Sequence, residues 1–507
     1  MTRRFGPPVL AIVAATAFIA ATGRISQTPA SRAHLVIVVD GLRPDYVTPA
    51  LMPRLTRLGG RGIVFNAHHS SFPTVTRVNA SSMATGAYPE SHGVLGNSVY
   101  FPSVNPTRGI DTGSREVLEK IAGAEGRLLT APSLGEILQQ AGRRMLVVGS
   151  GSSGAAFLLN HAVPGGAMIH HEFTRPAELS PRVLETLGPP PPHALPNVAQ
   201  NRRAVDAYLK IGLRELRPDV TFMWISDPDT TAHTHGVATA TTRNALAAVD
   251  VEIGRIEDAL AEQGVLDRTN VIVVSDHGFS THGGAFRLSA AVEPFVRKLP
   301  DGTPDLVVAE GAIYFRGGPD SDRLSAIVRA LQKEPDVGAI FTAPPQRGEM
   351  TGVVPGTLSF DAVRWTHARS GAILVSANWS DATNDAGYKG KTTDAGGAGH
   401  GSSSPYDIHN TLIAAGPDFR EHAASGVPTG NVDLAPTLLR LLGMTPPPTM
   451  TGRVIEEGLR GGPEPVSMAV ERTTRTVTSS DGAYALTAHF STAAGSRYLD
   501  FTEVTRR

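Results

Sequence analysis

The sequence predicts an α/β fold with a central, mostly parallel sheet, and three observations carry that reading. Several short apolar runs are continuous rather than alternating: His34-Leu35-Val36-Ile37-Val38-Val39, Val220-Thr221-Phe222-Met223-Trp224-Ile225 and Val271-Ile272-Val273-Val274. Continuous apolar runs of this length are the signature of strands buried on both faces. Helical patterns fall between them in a βαβ rhythm, with 244–262 the clearest amphipathic stretch. Finally, the runs stop abruptly in acidic or acid–imidazole steps: Asp40-Gly41, Ser226-Asp227-Pro228-Asp229 and Ser275-Asp276-His277-Gly278. Open α/β sheets bind their ligands at the carboxyl ends of their strands.

The bulk numbers are those of a globular chain with a large core: 507 residues, 41% hydrophobic and 18% charged. A formal net charge of −1 recommends neither nucleic acid nor an anionic membrane as partner. The chain has no cysteine, which excludes disulfides, thiolate metal sites, a cysteine nucleophile and a lipoprotein signal. Residues 1–30 read as a secretory signal peptide: Arg3-Arg4, an apolar segment over 9–21, then small residues at Ala20-Ala21-Thr22-Gly23. Export to the periplasm or the cell exterior is therefore expected. No later stretch is long and apolar enough to span a bilayer.

In chain order, the strand at 34–39 is followed by a short helix over 52–58, ended by Gly59-Gly60. Pro73 stops regular structure, and small residues from Ala80 open a helix. Thr74 and Thr76 stand where hydroxyls commonly cap helices. The same place suits a nucleophile that attacks an anionic ester, because free N–H groups and the positive dipole end meet there. A helix over 133–138 and a strand over 144–149 follow, and 149–154 is a tight glycine-rich turn without the lysine of a nucleotide P-loop. Residues 189–192 read as a rigid proline loop, and 205–216 as helix. Asp229 and His233 are four apart, on one face of a helical turn.

From 284 the rhythm loosens into a small α+β insertion, expected as a cap over the strand ends. The expected organisation is a catalytic core at 31–283, the inserted cap at 284–394, and the rest of the core at 395–507, with its last residues as edge strands. The core resumes at Gly399-His400-Gly401, with a strand over 411–416 and a capped helix over 431–443.

The strand ends together present Asp40, Asp229, His233, Asp276, His277 and His400. Three carboxylates and three imidazoles suit two zinc ions with three protein ligands each. Paired metals clamp the attacking and leaving oxygens of an in-line displacement at phosphorus. A metal also acidifies a hydroxyl bound to it, which makes Thr76 a usable nucleophile.

Six pieces in order resemble the alkaline phosphatase superfamily, and most closely its type I phosphodiesterase/nucleotide pyrophosphatase branch. They are Val39-Asp40-Gly41, the stretch from Phe72 to Asn79, the stretch from Gly86 to Gly93, Pro228-Asp229 with His233, Ser275-Asp276-His277-Gly278, and Gly399-His400-Gly401. The resemblance implies an alkaline-phosphatase-like three-layer sandwich. It implies two Zn2+ per chain, one held by Asp229, His233 and His400, the other by Asp40, Asp276, His277 and the Thr76 oxygen. It implies Thr76 as nucleophile through a phospho-threonine intermediate opened by zinc-bound water. Asn97 would hold a phosphoryl oxygen together with the Thr76 N–H. The implied substrate is a small phosphate ester such as a nucleotide.

The sequence departs from that branch after the nucleophile, where Arg77-Val78-Asn79-Ala80 stands instead of Phe-Pro-Asn-His, and no nucleobase-stacking aromatics are evident. Arg77 adds a cation beside the phosphate position. That favours the alternative reading of a phosphomonoesterase or a phosphonate (C–P) hydrolase on the same two-zinc site. Of the remaining histidines, His282 is a candidate substrate contact and His235 points elsewhere. His92 and His409 are expected to be structural, and His68, His69, His170 and His171 to lie on the surface.

Overall fold

The computed structural model describes residues 1–2, 32–162, 166–318 and 320–507. The proposed signal peptide lies outside the described residues. Residues 32–507 form one compact unit. Its frame is a ten-stranded sheet with the order Ala423–Ser425, Ile63–His69, His409–Ala415, Thr269–Val274, Ala33–Val39, Val220–Ile225, Met145–Gly149, Ala167–His170, Thr174–Arg175; Thr429–Gly430 also pairs with Ile63–His69. The central four strands and Ala167–His170 run parallel, whereas His409–Ala415 is antiparallel to both its neighbours.

Both faces of the sheet are covered, which is why its central strands are apolar throughout. Val36, Val38, Phe222, Trp224, Ile272 and Val274 pack to one side, with helices Thr76–Thr85, Ser153–Asn160 and Leu434–Leu441. Leu35, Ile37, Val39, Met223, Val271 and Val273 pack to the other, with Pro53–Arg61, Val198–Ala207 and Ala240–Glu262. This is the expected three-layer arrangement. The π-helical run Tyr208–Leu216 continues Val198–Ala207, so the predicted helix at 205–216 begins earlier and changes its winding part-way.

Three local expectations are corrected. The first helix runs through Gly59 and Gly60 to Arg61. Gly59 is there for close packing, since a Cβ on it would lie 2.9 Å from Val64 Cγ2. The helix expected from Ala80 already begins at Thr76, with Val75 at the N-cap and no side-chain capping bond. The C-terminal strands Val470–Thr478, Tyr484–Ala493 and Ser496–Arg506 form their own antiparallel sheet rather than edges of the main one. Tyr484, Leu486, Ala488 and Phe490 alternate inward, and the Tyr484 hydroxyl donates to the Gly338 carbonyl at 2.8 Å.

The insertion is a five-stranded sheet, Leu306–Ala309, Ala312–Phe315, Ile373–Ala377, Val337–Thr342, Leu358–Ser359, with helix Ser321–Lys333. A separate four-stranded sheet joins Ser280–Gly284 to Trp379–Thr383, Lys389–Ala395 and Ala398–Gly399, so the last strands of the expected 284–394 insertion pair with the core segment that precedes it.

A buried ion pair locks the C-terminal region. Arg453 donates to both oxygens of Glu457, which is fully buried, and to the Tyr498 hydroxyl at 3.1 Å. Glu457→Ala leaves a buried guanidinium without its partner and is expected to cost about 3–5 kcal/mol, read as a lower urea midpoint at unchanged slope.

Candidate metal centre

The six strand-end residues converge, and they do so as two separate triads. Asp40, Asp276 and His277 form one, and Asp229, His233 and His400 the other; within each, one ligand atom per residue lies within 4.8 Å of the others. Asp40 leaves strand Ala33–Val39 through Gly41, whose φ of +70° suits glycine. Asp276 and His277 leave Thr269–Val274 immediately beside it. Gly278 lets the chain pass close to the backbone at Tyr406, because a Cβ on it would sit 2.0 Å from the Tyr406 carbonyl oxygen. Asp229 and His233 occupy one face of the short helix Asp229–His235 that follows Val220–Ile225.

The donors are aimed for coordination. Asp276 Oδ2 and Asp40 Oδ1 lie 3.1 and 3.5 Å from His277 Nε2. Asp229 Oδ1 lies 3.2 Å from His233 Nε2 and 3.3 Å from His400 Nε2. These three carboxylate oxygens are buried and make no hydrogen bond among the described residues. The opposite oxygens are engaged: Asp40 Oδ2 accepts from the Trp224 indole at 3.0 Å, and Asp276 Oδ1 from the Gly41 and His277 N–H groups at 3.2 and 3.0 Å.

Each imidazole is fixed in the same way. His277 Nδ1 faces the Gly278 carbonyl at 2.9 Å, His400 Nδ1 that of Thr74 at 2.8 Å, and His233 Nδ1 that of Ala398 at 3.2 Å. A carbonyl only accepts, so Nδ1 carries the proton and the Nε2 lone pair is left for a cation. Orphaned oxygens and oriented Nε2 atoms together fit two divalent ions.

Charge points the same way. Burial, then Asp229 and Asp276, push the Asp40 carboxyl well above its usual range. Burial also pushes Asp229 up, but His233 and His400 outweigh it and hold that carboxyl well below the usual range. Asp229 in turn carries His233 up to about 9, while burial and then His277 bring His400 down to about 4. Three carboxylates in one buried crevice are costly without added positive charge, which dications supply.

Thr76 opens helix Thr76–Thr85, beside the triad that holds His277. It is 4% exposed, and its Oγ1 is 3.3 Å from His277 Nε2. Neither threonine caps the helix: Thr74 Oγ1 instead donates to the Ser402 carbonyl and accepts from the Gly401 N–H, which steadies the loop that carries His400. The Asn97 side-chain carbonyl accepts the Arg77 N–H at 2.9 Å, which places Asn97 beside the same helix start. Arg77 itself faces Asp111, with Nη2 3.7 Å from Oδ1.

His282 lines a cleft of about 450 Å3 shared with His400, and its buried Nε2 has no partner among the described residues. His235 is exposed and belongs to neither triad. His92 is buried against Ser82 and Val94, a structural setting. The expectation that His68, His69 and His170 lie on the surface is overturned, since each is at most 5% exposed; His171 is half-buried against His170. His68 and His69 are covered by Thr429–Asn431 and Asp500, contacts that come from distant sequence. His69, His409 and Asp500 make a third His/Asp group, but there His69 is already hydrogen-bonded to Asp500 at 2.8 Å. Sequence reasoning missed Trp224 as the partner of Asp40. The parallel register that sets Trp224 opposite Val38 is fixed only by the folded sheet, so no sequence signal marked it.

Residues 34–401 match the family described as type I phosphodiesterase/nucleotide pyrophosphatase. The chain belongs to this family. Among curated members, mouse ectonucleotide pyrophosphatase/phosphodiesterase family member 1 is 24% identical over 249 residues, 48% of this chain and 24% of that protein. Venom phosphodiesterase 2 of Crotalus adamanteus is 24% identical over 246 residues, 48% of this chain and 26% of that protein. The chain thus spans about a quarter of the length of the curated family members it matches. Murine ectonucleotide pyrophosphatase/phosphodiesterase 5, solved as an inactive threonine-to-alanine form in complex with AMP, superposes with a TM-score of 0.59 at 19% identity, over 84% of this chain and 100% of that one. The fold is the alkaline-phosphatase-like one that the motifs imply.

Proposed function

We propose that the chain is an exported, two-zinc phosphodiesterase that cleaves a small phosphate ester such as a nucleotide, with Thr76 as nucleophile. The observation that carries this is a buried threonine hydroxyl 3.3 Å from His277 Nε2 in one of two distinct His/Asp triads, at the start of a ten-residue helix. Three imidazoles and three carboxylates are a donor set that zinc accepts. When bound, the two ions acidify the threonine hydroxyl and neutralise charge that develops on the phosphoryl group.

The chain's own residues do the rest. Thr76 Oγ1 forms a bond to phosphorus as the bond to the leaving alcohol breaks, and water then opens the phosphoryl-threonine ester and restores the hydroxyl. The Thr76 N–H lies in the first turn, where no intrahelical acceptor exists, so it is available to a non-bridging oxygen. Asn97 joins it: with its side-chain carbonyl taken by the Arg77 N–H, its amide NH2 is left to donate. The solved family member that lost its activity with one threonine supports the nucleophile assignment. The ectoenzyme and venom names of the relatives support export, as does the leader-like sequence at 1–30. The segment 284–394 is the cap over this core.

A diester is favoured over a monoester or a phosphonate because Asp111 offsets the Arg77 charge that would otherwise welcome a dianion. Bis-p-nitrophenyl phosphate is expected to exceed p-nitrophenyl phosphate in kcat/KM by at least about tenfold, with turnover abolished by chelation and restored by zinc. A monoester preference overturns this reading.

A further inference from the structure

The inserted sheet reaches the phosphate-holding residue through one side chain. The hairpin between Leu306–Ala309 and Ala312–Phe315 turns at Glu310, which sits at φ +54°. Few residues with a side chain adopt that conformation, and here it delivers a carboxylate to the main chain at Asn97. Glu310 Oε2 accepts the N–H of Asn97 and, at 3.1 Å, that of Ser98. The Asn97 main-chain carbonyl meanwhile accepts both the N–H and the hydroxyl of Thr112, each at 2.8 Å. Its side-chain carbonyl is taken by Arg77. Asn97 is thus fixed at every polar group except its amide NH2. Glu310 also lines the cleft that leads to His400.

A neutral amide oxygen would accept the same two N–H bonds, so the holding function does not require a charge. The carboxylate adds a fixed negative charge beside the group that holds the phosphoryl oxygen, and Asp111 already faces the nearby cation of Arg77. A phosphodiester carries one negative charge, and a monoester above its second pKa carries nearly two. A fixed anion therefore repels the monoester about twice as strongly, which is selection by repulsion. We propose that Glu310 is a specificity-determining residue that excludes phosphomonoester dianions. This rests on the reading of Thr76 and Asn97 given above.

The test compares wild type with Glu310→Gln, Glu310→Asp and Glu310→Ala on bis-p-nitrophenyl phosphate and p-nitrophenyl phosphate at pH 8, with metal content and thermal midpoint recorded for each. The readout is the ratio of diester to monoester kcat/KM. Glu310→Gln is expected to lower that ratio about tenfold, chiefly through a lower KM for the monoester. Glu310→Asp keeps the charge and is expected to keep the ratio. Glu310→Ala is expected to shift the ratio as Glu310→Gln does and, with Asn97 less firmly held, to lower kcat on both substrates. A ratio within twofold of wild type in both Glu310→Gln and Glu310→Ala overturns the proposal, as do equal losses on the two substrates, which mark a purely structural role. Wild type without diester turnover overturns the phosphodiesterase reading itself, and this inference falls with it.

Discussion

Thr76→Ala is expected to lower kcat/KM for bis-p-nitrophenyl phosphate by at least about 10³-fold, while metal content and thermal midpoint stay near wild type. The hydroxyl is buried beside His277 and makes no capping bond, so little folding energy depends on it. The helix that begins at Thr76 is anchored elsewhere: Asn79 accepts the Ser71 N–H at 2.7 Å and donates to Ser71 and Val75. A loss of that size without a change in stability separates the nucleophile from its scaffold. Thr76→Ser keeps the oxygen and is expected to retain measurable turnover. A Thr76→Ala protein with wild-type turnover would place the attacking group elsewhere, with water the first alternative.

Asp276→Asn should remove one metal equivalent per chain and at least about 10²-fold of activity. Asp276 is fully buried, with one oxygen accepting the N–H groups of Gly41 and His277 and the other aimed, unpartnered, into the centre. An amide can still accept the two N–H groups, so the turn after Thr269–Val274 survives. The charge and the second donor oxygen are lost, and with them one ion. Asp229→Asn is expected to remove the other equivalent, because the two triads share no residue. Elemental analysis of the purified variants checks both. A single substitution that emptied both sites would mean that the triads act as one site rather than two.

The core of the fold was legible because burial on both faces leaves a plain trace. Val36 and Val38 face one layer and Leu35, Ile37 and Val39 the other, so the strand must be apolar at every position. The convergence of the six strand-end Asp and His residues was legible for a related reason: carboxylates and imidazoles at the ends of such strands gather in one crevice. What lay hidden depended on partners distant in sequence. His68 and His69 read as polar surface, yet Thr429, Asn431 and Asp500, more than 350 residues away, bury and satisfy them. The alternation of Tyr484, Leu486, Ala488 and Phe490 marked a strand but not the surface it would cover. Glu310 carried no signal, since a glutamate in a hairpin turn is ordinary until the hairpin is docked against Asn97.

The most direct measurement is zinc-edge anomalous diffraction from crystals of the zinc-loaded protein. Two peaks are expected, one among Asp40, Asp276 and His277 and one among Asp229, His233 and His400, with Thr76 Oγ1 beside the first. A single peak, or zinc held instead at His69, His409 and Asp500, would contradict the two-metal account.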